Sequence, residues 1–133
     1  MKLLLGQVHN KGSAKQEVLT LGVIEDYSLG TFIAGSFVAT GPRVGRRLAD
    51  SIWLPKWQVA GGDTVHVHTG KGQNRREPDK DGKRTLHHIY MNRLRPLWKG
   101  TRRRAVLIEI SSAGVLNPQK NDDAMDSVWG KLG

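Results

Sequence analysis

The chain contains no cysteine, which rules out disulfide staples and any thiolate-ligated metal. An all-β domain without staples suits a reducing compartment, and the expected location is the cytoplasm or an assembled particle. No run of 18 apolar residues occurs, so no stretch is read as a membrane-spanning helix. The opening Met1-Lys2-Leu3-Leu4-Leu5 imitates a secretion signal but breaks at Gly6-Gln7, short of the roughly 7–15 apolar residues such a signal needs. Internal repeats are lacking, as is any strong helix pattern before residue 118. Gly-x-Ser-x-Gly, His-Glu-x-x-His and phosphate-cradling Walker sequences are missing too. No recognition helix, zinc finger or aromatic RNA-binding run supplies base readout. The reading is therefore a non-enzyme with no cofactor.

What is present is β grammar between Trp53 and Ile110. Gly61-Gly62-Asp63 turns into Thr64-Val65-His66-Val67-His68-Thr69, in which Val65 and Val67 share one face and Thr64, His66 and His68 the other. Further strands are expected at Lys2–Val8, Gln16–Ile24, Thr31–Thr40, Thr85–Met91 and Arg104–Ile110, with a tight turn at Asn10-Lys11-Gly12-Ser13. At 133 residues this fits one all-β antiparallel sandwich of about 7–9 strands over residues 1–112. Trp53, Val65, Val67, Ile89 and Leu107 are expected inside. Residues 43–52 read as a loop turning Leu48 and Ile52 inward, and Gly70–Arg84 as an exposed hairpin loop. A tail, 113–133, is loop-like until Met125, Val128, Trp129 and Leu132, whose spacing is helical.

Charge is distributed unevenly. Residues 1–42 balance three Lys against three acids, whereas residues 43–104 hold sixteen Lys and Arg against five acids, and residues 105–133 hold two Lys against four acids. Such a basic middle implies one cationic face or rim. Arg forks match phosphate, so the candidate polyanion contacts are Arg43, Arg46, Arg47, Lys71, Arg75, Arg76, Arg84, Arg93, Arg95, Arg102 and Arg103. Contact would run through backbone phosphate and be largely blind to sequence. The expected partner is nucleic acid or an acidic protein surface, with no membrane. The alternative is a structural component of a larger assembly, such as a virus or phage particle, with Trp129 and Leu132 as interface anchors.

The histidines also have metal-ligand spacing. His66 and His68 project from one face, and His87-His88 sits on a neighbouring strand, but adjacent residues point to opposite faces, so at most one of that pair joins. Asp63 or a water would complete the set. The solvated polar face is the preferred reading, and no metal is assigned.

Several segments together resemble the lamin-tail domain, an immunoglobulin-like sandwich found in nuclear lamins and in many bacterial and viral proteins. They are Gln16-Glu17-Val18-Leu19, Trp53-Leu54-Pro55, and Gly62-Asp63-Thr64-Val65-His66-Val67-His68-Thr69-Gly70-Lys71-Gly72. Leu86-His87-His88-Ile89-Tyr90, Leu97-Trp98 and Ala105-Val106-Leu107 follow in order. The resemblance implies an interaction module with no catalytic residues to carry over. The chain departs from the pattern at Lys99-Gly100-Thr101-Arg102-Arg103-Arg104, where relatives carry an acidic turn, and at Met91-Asn92-Arg93, where an aromatic is usual.

Overall fold

The computed structural model describes residues 1–40, 43–116, 118 and 128–131, with side chains for 1–39, 47–114, 116 and 118. It is an all-β sandwich. The larger sheet orders its strands β1 (Leu3–His9), β2 (Val18–Val23), β7 (Thr64–His68), β9 (Thr85–Tyr90) and β8 (Arg75–Pro78). The smaller places β4 (Phe32–Thr40) between β10 (Arg103–Glu109) and β5 (Arg43–Trp53). Those eight strands fall within the expected number. Two short ribbons add β3 (Tyr27–Ser28) on β6 (Gln58–Val59), and β11 (Ser112–Val115) on β12 (Val128–Lys131). Among the described residues no helix is long and apolar enough to cross a membrane.

The core follows from strand alternation. Leu19 and Leu21 on β2, Val65 and Val67 on β7, and Ile89 on β9 meet Phe32 and Ala34 on β4 and Leu107 on β10. Leu54, Leu97 and Trp98 close the ends of this layer, and all are buried. Burying apolar surface of this kind is the main drive to fold, at about 25 cal/mol per Å² removed from water.

Several expectations need correction. Trp53 is 46% exposed and Leu48 43% exposed, because β5 is the outer strand of the three-stranded sheet. Ile52 does pack on the core. Residues 43–52 are strand, not loop. The segment 70–84 contains β8, which forms an antiparallel hairpin with β9 around Asp79–Arg84. Because β9 returns between β8 and β7, the β7–β9 pair is parallel in an otherwise antiparallel sheet. Val128 and Trp129 lie on a strand paired to β11, not on a helical turn. The expected strand end at Gly41-Pro42 and the tail positions Met125 and Leu132 lie outside the described residues.

Two buried acids hold the loops. Glu17, fully buried, accepts hydrogen bonds from the Gly12 N–H (2.9 Å), Thr69 Oγ1 (2.7 Å), the Leu97 N–H (2.7 Å) and the Trp98 N–H (3.2 Å). One carboxyl thus ties the β1–β2 turn, the end of β7 and the 91–102 connection together. At the opposite end Asp63 accepts from the N–H groups of Ala60 (2.9 Å) and Thr85 (3.0 Å) and from His87 Nε2 (2.9 Å).

Candidate functional site

The ends of the two sheets nearest Glu17 collect most of the candidate cations. Register places Arg103 opposite Val38, and Arg43 opposite Thr40, so β10 and β5 bring basic residues to the same end of β4 from either side. The Ala39 N–H donates to the Arg102 carbonyl at 2.5 Å, which fixes the Arg102 turn against that end. The larger sheet contributes the segment after β7, where Gly70 lies against Ala14 and Lys15 and Gly72 donates to Asn92 Oδ1 at 3.0 Å. Lys71, Lys99, Arg95, Arg102 and Arg103 are all exposed there.

A cleft of about 500 Å³ opens at this end, lined by Ala49, Asp50, Arg93, Arg95, Pro96 and Arg103 among others. Its acid, Asp50, is already engaged: Arg93 Nε donates to Oδ2 at 2.9 Å and Nη2 to Oδ1 at 3.3 Å. Arg93 also donates to the Met91 carbonyl at 2.9 Å, so it clamps the 91–97 connection to β5. Among the described residues neither Arg95, Arg102 nor Arg103 has an ion-pair partner. Arg104 curls back onto the carbonyls of Thr101 and Arg103. Arg47 is exposed on β5; Arg43 and Arg46 share that strand at backbone level.

Three candidates lie elsewhere. Arg75 pairs with Glu77 (2.7 Å), Arg76 stacks over Trp57 (4.2 Å to the ring centroid), and Arg84 crosses the Gly62 turn. These belong to the β8 edge, where Glu77, Asp79 and Asp81 dilute the charge. The structure thus brings together Lys71, Arg93, Arg95, Arg102 and Arg103, with Arg43 at the same sheet end, and separates Arg75, Arg76 and Arg84 from them. Trp129 is placed only by its strand.

A second cluster sits on the outer face of the larger sheet. The parallel register sets His66 opposite His88 and His68 opposite Tyr90, and residues opposite one another share a face. His88 is therefore the member of the His87-His88 pair that joins His66 and His68. His68 Nε2 lies 2.9 Å from His88 Nδ1, and His88 Nε2 lies 3.1 Å from Glu77 Oε1. One ring nitrogen from each of the three imidazoles falls within 4.8 Å of the others. Tyr90 stacks on His68 at 4.4 Å between centroids. Asp63 cannot complete this set, because it lies on the interior side, bonded to His87.

Burial, then the nearby His88, His66 and Arg75, push the His68 imidazole down to about 4. Burial and the neighbouring His88 and His9 also lower His66, against the opposing pull of Glu77. Hydrogen bonds from His88 and Arg75 hold Glu77 below the usual carboxylate range. For Asp63, burial pushes upward, but the bonds from His87, Ala60 and Thr85 outweigh it and leave the carboxyl below its ordinary value.

A pH dependence follows. Between about 4 and the ordinary 6.5 of His68, the unfolded chain binds a proton that the folded chain refuses, so stability rises with pH. Chelator-treated protein is expected to lose roughly 1–2 kcal/mol on acidification through that window, after discounting for partial exposure. The Asp63 contribution is lost only lower, as pH falls below 3.8. Thermal melts from pH 7 to 4.5 check this. His68→Gln should flatten the trend, and an equally steep trend in that variant would assign it to other groups.

No family model, curated protein or solved structure matches this chain.

Proposed function

We propose that this chain is a non-enzymatic interaction module that binds nucleic acid, or a comparable polyanion, through the basic end of its sandwich. The observation that carries this reading is a cleft lined by Arg93, Arg95 and Arg103, whose acid Asp50 is neutralised internally by Arg93, with the exposed Arg102 and Lys71 at the same end of the sandwich. Guanidinium groups spread along loops and strand ends match phosphates bidentately, and each phosphate neutralised releases condensed counterions. The basic end presents charge on loops, and among the described residues no aromatic lines its cleft, which favours backbone contact over base readout. The resemblance to lamin-tail domains agrees with an interaction role.

Among the described residues the acid–histidine pair buried on both sides, Asp63–His87, does not argue for catalysis. His87 is 2% exposed and its Nδ1 has no hydrogen-bond partner. A general base must reach the proton it takes, and this one faces the core.

The test is the salt dependence of DNA binding by wild type and by the Arg102→Ser/Arg103→Ser double variant. If both residues contact phosphate, the slope of log K against log salt should flatten by about two contacts' worth, while stability stays within about 0.5 kcal/mol. An unchanged slope, or no binding near about 50 mM salt, where such contacts are strong, counts against this reading.

The edge strands favour a second reading, an assembly subunit. Leu4 (59% exposed) and Leu5 (45%) lie on β1, and Leu48 and Trp53 on β5, each the outer strand of its sheet. Exposed apolar edges invite pairing with another chain. Multimers that persist in sedimentation after nuclease treatment and dissociate in Leu4→Glu would favour assembly.

A further inference from the structure

The histidine cluster is set apart from the basic end and calls for its own explanation. We propose that His66, His68 and His88 form a binding site for a zinc-class divalent ion, with Glu77 orienting His88 and the fourth position left to water.

Proton placement carries the argument. An ionised Glu77 only accepts, so His88 Nε2 carries the hydrogen of the 3.1 Å contact. That leaves His88 Nδ1 pointed at His68 Nε2 across 2.9 Å, the nitrogen free to offer a lone pair. Without metal, His68 must place its proton on Nε2 to satisfy that contact. With metal, the proton shifts to His68 Nδ1, and both facing nitrogens offer lone pairs to one ion. Two ligands at roughly 2.0–2.1 Å from a tetrahedral zinc lie about 3.3 Å apart. The observed 2.9 Å, and the 4.8 Å limit within which His66 joins, bracket that spacing. Small side-chain rotations are enough to close the site.

Two further features fit. The Glu77–His88 contact is the carboxylate–histidine arrangement that fixes the tautomer and orientation of a metal-ligating imidazole. A cleft of about 400 Å³ lined by Thr64, His66, Glu77, Pro78 and Leu86 among others reaches the cluster, giving an ion an entry path and room for water. Imidazole ligands without thiolate or a full carboxylate cage suit zinc, nickel or copper and not calcium or magnesium.

The experiment is calorimetric titration of the EDTA-treated full chain with zinc chloride, repeated with cobalt chloride and read by visible absorption. Wild type should bind one ion per chain, with cobalt giving the intense bands of four-coordination. His66→Ala should abolish the site, and Glu77→Gln should weaken it by about 10–100-fold. His9→Ala, which removes an exposed neighbour outside the set, should leave it unchanged. Thermal melts without metal separate a lost site from a lost fold, since His66→Ala should melt like wild type and fail to gain from zinc. If His66→Ala itself does not fold, Glu77→Gln alone decides by the same titration. Binding unaffected by both His66→Ala and Glu77→Gln, loss in His9→Ala, or no saturable one-to-one binding would overturn the proposal.

Discussion

Replacing Glu17 with Ala is expected to cost about 4 kcal/mol or more. The buried side chain accepts from four donors, the N–H groups of Gly12, Leu97 and Trp98 and the Thr69 hydroxyl. Each buried donor left without an acceptor costs roughly 1–3 kcal/mol, and water entering the vacated space recovers only part of that. Glu17→Gln keeps one oxygen and turns an amide toward two donors, so an intermediate loss of about 2 kcal/mol is expected. Denaturant unfolding of the three proteins measures this order. An Ala variant within about 1 kcal/mol of wild type would mean the loops are held by something else. The consequence reaches the basic end: Glu17 ties down the turn beside Lys99 and the strand end before Lys71, so if that end is the binding surface proposed above, a folded Gln variant should also bind DNA less tightly.

Val67→Asp should be still more damaging. Val67 is fully buried on β7, registered between Leu19 on β2 and Ile89 on β9. It belongs to the apolar core cluster, so a carboxylate there is both desolvated and unpaired, at a cost of several kcal/mol. That is a large part of the roughly 5–15 kcal/mol a domain commands. Loss of cooperative unfolding, read by circular dichroism on heating, is the expected outcome. A melt like wild type would mean that Val67 does not face the core.

The same alternation that places Val67 made much of the sandwich legible. Val65, Val67, Ile89 and Leu107 are buried where period-two reading and apolar content put them, and Trp53, expected with them, is not. β5 was hidden for a physical reason. It is an edge strand rich in Arg, and its pairing with β4 slips on either side of Phe37, which breaks the period of two. β8 contains no aliphatic residue and is stabilised by pairing to β9, not by packing, so composition points to loop. The parallel β7–β9 register could not be read while β8 was invisible, and that register is what selects His88 over His87 for the histidine cluster.

Charge counting found the basic segments but not their grouping. Arg93 and Arg95 resemble each other in sequence, yet Arg93 is bound to Asp50, forty-three positions away, and Arg95 is not. Nothing in the sequence marks Glu17 or Asp63 as a buried tie. Much of what converges on them comes from far along the chain, Thr69, Leu97 and Trp98 on Glu17 and Thr85 and His87 on Asp63, and such convergence leaves no local pattern. Asp63 bonded to the neighbouring strand is the one case with a local sign, since a Gly-Gly-Asp turn favours an acid that caps its own backbone.

The most direct test of the basic end as the binding surface is amide chemical-shift mapping of the ¹⁵N-labelled chain during titration with a DNA duplex of arbitrary sequence. The expected perturbations fall on Lys71, on Arg93 through Arg95 and on Lys99 through Arg103, leave the β8 edge at Arg76 and Arg84 untouched, and vanish on adding salt. Perturbations confined to the β8 edge, or none at low salt, would contradict it.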